Sequence, residues 1–292
     1  MKDVHTEFSR IIAGTMNWGS WGKKLSEKEM GLRIRHCLDH GINTFDHADI
    51  YGGYTTEEEF GKAFVKSGIA REDIRLISKC GIQYVCEKRE NKVKHYDHTA
   101  GYIITSVEES LRNLRTDHLD LLLLHRPSPL MEPAEIAQAV EKLRFGGKIR
   151  SFGVSNFTAP QMELIGSVLE VGANQIEFSV TQPGAMYDGV LDYMMRKDIQ
   201  PMAWSPLGKT FREKTAQTGR IQQVLMDLVV KYHVSADQLL LAWILKHPAG
   251  IRPVIGTTSP DRITNAVKAP DIDMEQEDWF ALLVAAQGHK VP

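Results

Sequence analysis

Three cysteines in 292 residues are too few for a scaffold stapled by disulfides. Cys37, Cys80 and Cys86 form neither a CxxC pair nor a zinc-finger spacing, so reduced, buried thiols are expected. Long apolar runs are missing as well. No stretch approaches the roughly 20 residues of a membrane span, and residues 1–5 lack the apolar core of a signal peptide. Neither sign of charge dominates: 35 basic and 37 acidic side chains leave a formal charge of −2, so no global field draws nucleic acid. Glycine fingerprints for phosphate are also lacking. Gly14, Gly19 and Gly22 do not fit G-x-G-x-x-G, Gly146-Gly147-Lys148 is no P-loop, and no H-E-x-x-H occurs. These absences point away from membrane, nucleic-acid and Rossmann classes. A soluble, cytoplasmic, compact protein is the expectation.

What is present is alternation. Strand-like apolar runs near 9–15, 41–45, 74–80, 118–125, 149–156, 174–178, 200–207 and 251–257 are separated by helical patterns. Ser26 with Glu29, and Ser235 with Gln238, have the form of capping boxes. Pro133 and Pro260 suit a first helical turn, and Gly41 and Gly146 suit helix ends. The run His118-Leu119-Asp120-Leu121-Leu122-Leu123-Leu124-His125 reads as a strand buried on both faces. With no linker or low-complexity tract, this predicts one α/β domain over residues 1–292. Its form is a (β/α)8 TIM barrel with an extra C-terminal helix near 275–287. Such barrels keep their chemistry at the C-terminal ends of the strands.

At those ends the second strand leads to Asp46 and Tyr51, the third to Lys79 and the fourth to His125. Singly, Asp46 and Lys79 also read as a structural ion pair, and His125 as a core histidine. Four polar groups converging on one mouth are costly to bury for packing alone. The stretches 45–51, 78–80 and 120–127 resemble the Asp, Tyr, Lys and His signature of the aldo-keto reductases, in that family's order. The similarity continues through 153–156, 174–177, 204–208 and 256–262, nearly the whole chain. It implies reversible reduction of an aldehyde or ketone to an alcohol. Tyr51 would be the general acid and base, Lys79 and Asp46 would tune it, and His125 would orient the carbonyl. A phenol with a pKa of about 10 is a reluctant acid at neutral pH, and a nearby ammonium lowers that value.

The same resemblance implies a nicotinamide cofactor. Ser155, Asn156 and Gln175 match positions that hold the carboxamide, and Trp204 replaces a more usual tyrosine as the stacking ring. Gly14, Thr15 and Met16 would line the cofactor near the first strand. Ser205, Leu207, Gly208 and Lys209 would follow the pyrophosphate. Gly256, Thr257, Ser259, Arg262 and Asn265 would receive the adenosine end, where Arg262 argues for NADPH, with NADH possible. Gly256 departs from the family's common lysine, and Asn265-Ala266 from its Glu-Asn pair.

Met16, Trp18, Tyr54, Tyr84, Met186 and Tyr187 suggest an apolar, partly aromatic substrate rim, with Trp18 foremost. The long loop at 81–98 has the size of a lid. Its His95, Asp97 and His98 read as a solvated loop rather than a metal site, and no metal is expected. Two other functions remain open: a nucleotide-sensing regulatory subunit on the same barrel, and a hydrolase or isomerase using Asp46 with Glu177. The expected partner is a small carbonyl or alcohol, without nucleic acid or membrane, and the expected state is a monomer.

Overall fold

The chain, described by a computed structural model over residues 8–291, is a closed eight-stranded parallel barrel. The polar lead at 1–5 lies outside the described residues. The strands, in chain order, are β1 (Ile12–Gly14), β2 (Thr44–Asp46), β3 (Arg75–Cys80), the short β4 (Ile82–Gln83) and β5 (His95–Tyr96), β6 (Leu119–Leu124), β7 (Ile149–Ser155), β8 (Ala173–Glu177), β9 (Gln200–Trp204) and β10 (Arg252–Ile255). The barrel runs β1-β10-β9-β8-β7-β6-β3-β2 and closes through Ala13 opposite Phe45 and Gly14 opposite Asp46.

The outer layer comprises α1 (Glu27–Asp39), α2 (Thr56–Ser67), α3 (Ala100–Leu114), α4 (Pro133–Phe145), α5 (Ala159–Gly166), α6 (Val190–Lys197), α7 (Ala216–Tyr232), α8 (Ala236–Leu245), α9 (Pro260–Ala266) and α10 (Gln276–Gln287). The expected capping box at α1 forms: Glu29 N–H donates to Ser26 Oγ at 3.3 Å, and Ser26 N–H to Glu29 Oε2 at 2.8 Å. The extra C-terminal helix is α10. Its Trp279 stacks on Trp243 of α8 at 4.8 Å, and each indole N–H donates to the other residue's carbonyl, at 2.9 and 3.0 Å.

Strand alternation explains the two cores. Leu121 and Leu123 point inward with Ile12, Ile77, Ala173, Met202 and Val254, whereas Leu122 and Leu124 face the helices. A strand in this position must be apolar on both faces, which accounts for the unbroken leucine run. Burying each leucine contributes about 1.5–3 kcal/mol. Residues 81–98 differ from the expected plain loop. Ile82 pairs with Tyr96 and Gln83 with His95, making an antiparallel hairpin outside the barrel. Among the described residues, no single helix is long and apolar enough to cross a membrane. The pair α7 and α8 passes only when joined, and bends by 91°.

Candidate active site

The site follows from strand register. Ile77 faces the barrel interior, so Lys79, two residues on, does too, and Ser78 turns outward to donate to Glu57 of α2 at 2.5 Å. The Lys79 side chain is 1% exposed, and its ammonium makes three bonds. It donates to Asp46 Oδ2 at 2.7 Å, to the His47 carbonyl at 2.8 Å and to the Tyr51 hydroxyl at 3.1 Å. Asp46 ends β2, and its other oxygen accepts from Gln175 Nε2 of β8 at 2.9 Å. Tyr51 sits in the turn before α2, fixed by its own N–H to the Ala48 carbonyl at 3.1 Å. His125 follows β6, with its ring 6.0 Å from that of Tyr51 in an edge-on arrangement. The structure therefore brings all four residues of the expected tetrad to one mouth.

Their electrostatics are set by burial. Burial raises the Tyr51 pKa, and although Lys79 pulls it down, Asp46 pushes the same way as burial. The ammonium has the direction expected from sequence, but desolvation is larger, so the resting phenol is neutral. Lys79 shows the reverse balance: burial works against its charge, yet Asp46 and Tyr51 raise its pKa. His125 is held well below its ordinary value by burial, Lys79 and Arg126, and is a neutral imidazole. Its Nδ1 is buried without a hydrogen-bond partner among the described residues.

Beside the tetrad lies a second polar network. Ser155 Oγ donates to the Gln175 carbonyl at 2.9 Å. Asn156, at a φ of 62°, donates to Ser155 Oγ at 2.8 Å and accepts from Trp204 Nε1 at 2.9 Å. Each of these groups keeps hydrogen-bonding capacity: the second N–H of both amides, the Gln175 side-chain oxygen and the remaining Ser155 lone pair. That donor and acceptor set suits a carboxamide. Trp204 is half-buried.

Further positions separate into two groups. Gly14 and Thr15 are packed closely against the neighbouring strands. A Cβ on Gly14 would meet Val254 Cγ1 at 3.1 Å, and the buried Thr15 hydroxyl lies 3.0 Å from the Asp46 carbonyl and 2.9 Å from His47 Nδ1. Both residues build the wall behind Asp46. Gly208 has a φ of 54°, and a Cβ there would lie 2.0 Å from Thr181 Oγ1, so the loop after β9 requires glycine. Lys209 is exposed and pairs with Glu213 at 3.3 Å. Met16 is 43% exposed and Ser205 and Leu207 are half-buried. Gly256 is exposed and accepts from Asn17 Nδ2 at 3.1 Å. At α9, Ser259 occupies the cap position but forms no side-chain cap bond; its N–H donates to Thr257 Oγ1 at 3.1 Å. Arg262 is exposed and Asn265 half-buried, its carbonyl taken by Gln238 at 3.0 Å.

The rim corrects one expectation. Trp18 is fully buried, 0% exposed, with its ring 6.1 Å from those of Phe45 and Phe60; it is core and does not line the mouth. Trp21 takes that place, 39% exposed, 6.2 Å from the Tyr51 ring and 5.3 Å from Tyr84. The residues after Trp18 turn back on themselves, Lys23 N–H donating to the Asn17 carbonyl at 2.8 Å, which sends one tryptophan inward and the other out. Tyr54 is a hairpin anchor: its hydroxyl donates to the Ile82 carbonyl at 3.2 Å and accepts from Tyr84 N–H at 3.0 Å. Tyr187 is 62% exposed and its hydroxyl accepts from Gln287 of α10 at 2.8 Å.

Arg126, which sequence reading passed over as part of the His125 motif, is also at the mouth. Its guanidinium lies 5.4 Å from the Trp204 ring centre, a contact worth about 0.5–1 kcal/mol at a partly exposed site. In the hairpin, His95 Nδ1 is 2.8 Å from the Val93 carbonyl, and Asp97 accepts from Thr99 N–H at 3.0 Å, ahead of α3. His98 is buried against Gly81, and burial lowers its pKa to about 4. Glu177 is exposed, whereas both oxygens of the buried Asp46 are engaged by Lys79 and Gln175, so these two carboxylates do not share one environment as a barrel hydrolase's pair would.

A family profile described as "Aldo/keto reductase family" matches residues 10–283. The chain is 43% identical over 292 residues to the uncharacterized oxidoreductase YcsN of Bacillus subtilis, covering 98% of this chain and 97% of that one. It is 39% identical over 288 residues to a 6-dehydroglucose reductase of Agrobacterium fabrum, covering 98% and 96%. Among solved structures, an aldo/keto reductase from Klebsiella pneumoniae in complex with NADP and acetate superposes with a TM-score of 0.78 at 26% identity, covering 98% of this chain and 93% of that one. The chain belongs to the aldo/keto reductase family, oxidoreductases that act on carbonyl compounds.

Proposed function

We propose that this member of the family reduces an aldehyde or ketone to the alcohol with NADPH, reversibly, and that Tyr51 carries the proton. The observation that supports this most directly is the Tyr51 hydroxyl, neutral at rest and 3.1 Å from an ammonium that Asp46 holds in place. When bound, NADPH supplies the hydride. Tyr51 donates its proton as negative charge develops on the carbonyl oxygen, and the phenolate left behind is stabilised by Lys79. The neutral His125 ring, edge-on to Tyr51, offers an N–H to the same oxygen and fixes its approach. In the alcohol direction the phenolate accepts the proton.

The cofactor reading rests on the amide and hydroxyl network. Ser155, Asn156 and Gln175 would hold the carboxamide, with Trp204 as the stacking ring. Thr257, Ser259, Arg262 and Asn265 would receive the adenosine phosphates, and the exposed Arg262 guanidinium supports NADPH over NADH. The 39% identity to a 6-dehydroglucose reductase places sugar-derived aldehydes first in a substrate panel.

The test is NADPH consumption over a panel of sugar, aliphatic and aromatic carbonyl compounds, with Tyr51→Phe alongside and nucleotide affinity followed by fluorescence. The variant should lose at least about 100-fold in turnover, the usual scale of general acid catalysis, while still binding NADPH. Equal turnover by both proteins would remove Tyr51 from the chemistry. NADPH binding by both with turnover by neither would favour a nucleotide-sensing role.

A further inference from the structure

We infer that Arg126 determines substrate specificity by selecting carbonyl compounds that carry an oxygen function, hydroxyl or carboxylate, near the reacting carbon. The inference deepens the proposed function and rests on it. Arg126 directly follows His125 at the end of β6, so its backbone is fixed by the same strand that positions the imidazole. Its guanidinium makes no ion pair or hydrogen bond among the described residues and is steadied only by the Trp204 ring at 5.4 Å. The carboxylate at the centre of the site, Asp46, is already bound by Lys79 on one oxygen and by Gln175 on the other. The positive charge of Arg126 reaches the chemistry, since it lowers the pKa of both Tyr51 and His125.

A half-buried fork of N–H donors without a protein acceptor, beside the group that orients the carbonyl, is complementary to an oxygen acceptor on the substrate. Lys94, on the loop before β5, adds positive charge that also acts on His125. This wall is cationic, where sequence alone suggested an apolar pocket. An apolar aldehyde would leave the guanidinium desolvated and unpaired, so the site discriminates against it as well as for its oxygenated counterpart.

The experiment compares kcat/KM at saturating NADPH for two matched pairs: glyceraldehyde with propanal, and succinic semialdehyde with butanal. Wild-type enzyme should prefer the oxygenated member of at least one pair. In Arg126→Ala, the preference ratio should fall by about 10- to 100-fold, as expected on losing a hydrogen bond to a charged group. Arg126→Gln, closer in shape, covers the case in which truncation disturbs the loop, and its ratio should also fall. A fall confined to the glyceraldehyde pair identifies hydroxyl recognition; one confined to the semialdehyde pair identifies carboxylate recognition. Because a ratio cancels effects on cofactor binding and folding, equal losses on both members of each pair overturn the inference. So does a wild type without preference, although its turnover would leave the proposed reaction standing. Wild-type enzyme inert toward all four aldehydes with NADPH and NADH overturns this inference, and inertness toward the broader carbonyl panel as well removes the proposed function with it.

Discussion

Replacing Lys79 by methionine tests the centre of the site on both stability and chemistry. The side chain is similar in length, but the three hydrogen bonds to Asp46, His47 and Tyr51 vanish together. Asp46, 2% exposed, keeps only the bond from Gln175 and becomes a buried carboxylate without a counter-ion. Breaking a buried pair from one side costs about 3–5 kcal/mol. For a chain of this size that corresponds to a fall in Tm on the order of 10 °C. The pH of the measurement matters little below pH 10. The Lys79 pKa is raised in the folded protein, so its contribution is fully present below the unfolded value of about 10.4 and is lost as pH rises through the folded one. The companion variant Lys79→Met/Asp46→Asn removes the stranded charge and should recover at least half of the lost stability. Turnover should not recover with it, because Tyr51 still lacks the ammonium that stabilises its phenolate. Thermal melts and NADPH consumption on the three proteins decide the matter. A single variant that melts within about 2 °C of wild type contradicts the buried-pair reasoning. A double variant that regains activity contradicts the role of the charge.

The two tryptophans should separate cleanly. Trp18→Ala should cost about 3–5 kcal/mol in denaturant unfolding, as for a buried aromatic, whereas Trp21→Ala should shift KM for the carbonyl substrate with little change in stability; the reverse pattern would return Trp18 to the rim. Burial, reinforced by the nearby Glu57, pushes Asp49 up to about 8. Because the folded value lies above the unfolded one of about 3.9, the associated stability is present below about pH 4 and is lost as pH rises through about 8. Asp49→Asn should therefore melt higher than wild type near pH 9 and lose that advantage near pH 4, and a pH-independent difference would contradict the assignment. Arg262→Ala should weaken NADPH binding by about 10-fold or more, as on losing a hydrogen bond to a charged group, and leave NADH nearly unchanged; fluorescence titrations in which both fall equally would exclude 2′-phosphate recognition.

The barrel was legible because alternation is a local property. Leu121 to Leu124 had to be apolar on both faces, and the ends of such strands locate Asp46, Lys79 and His125 without knowledge of any contact. Direction within loops is not local. Trp18 and Trp21 are three residues apart in one turn, and only the folded turn decides which enters the core. The β4–β5 hairpin was hidden because strands of two residues, one of them His95-Tyr96, carry no periodic signal. Sequence supplied the neighbours of Tyr51 and the sign of each, but not its depth, and depth decides the net direction of its pKa. The place of Arg126 is likewise not local, because its contact with the Trp204 ring exists only once β6 and β9 share a barrel.

The tetrad and the barrel closure are one constraint. Asp46 is bound from β3 by Lys79 and from β8 by Gln175, a residue 129 positions away in sequence. A slip of either strand by one residue would turn its side chain from the interior to the helices. Asp46 would then stay buried with half its partners gone, at a cost comparable to breaking the ion pair itself. The register that keeps leucines 121 and 123 inside is thus also penalised for error at the mouth, where a polar network tolerates misalignment less than an apolar layer does. Removing Gln175 should therefore loosen Asp46, and through it the Lys79–Tyr51 contact, while the barrel remains closed by its apolar layers.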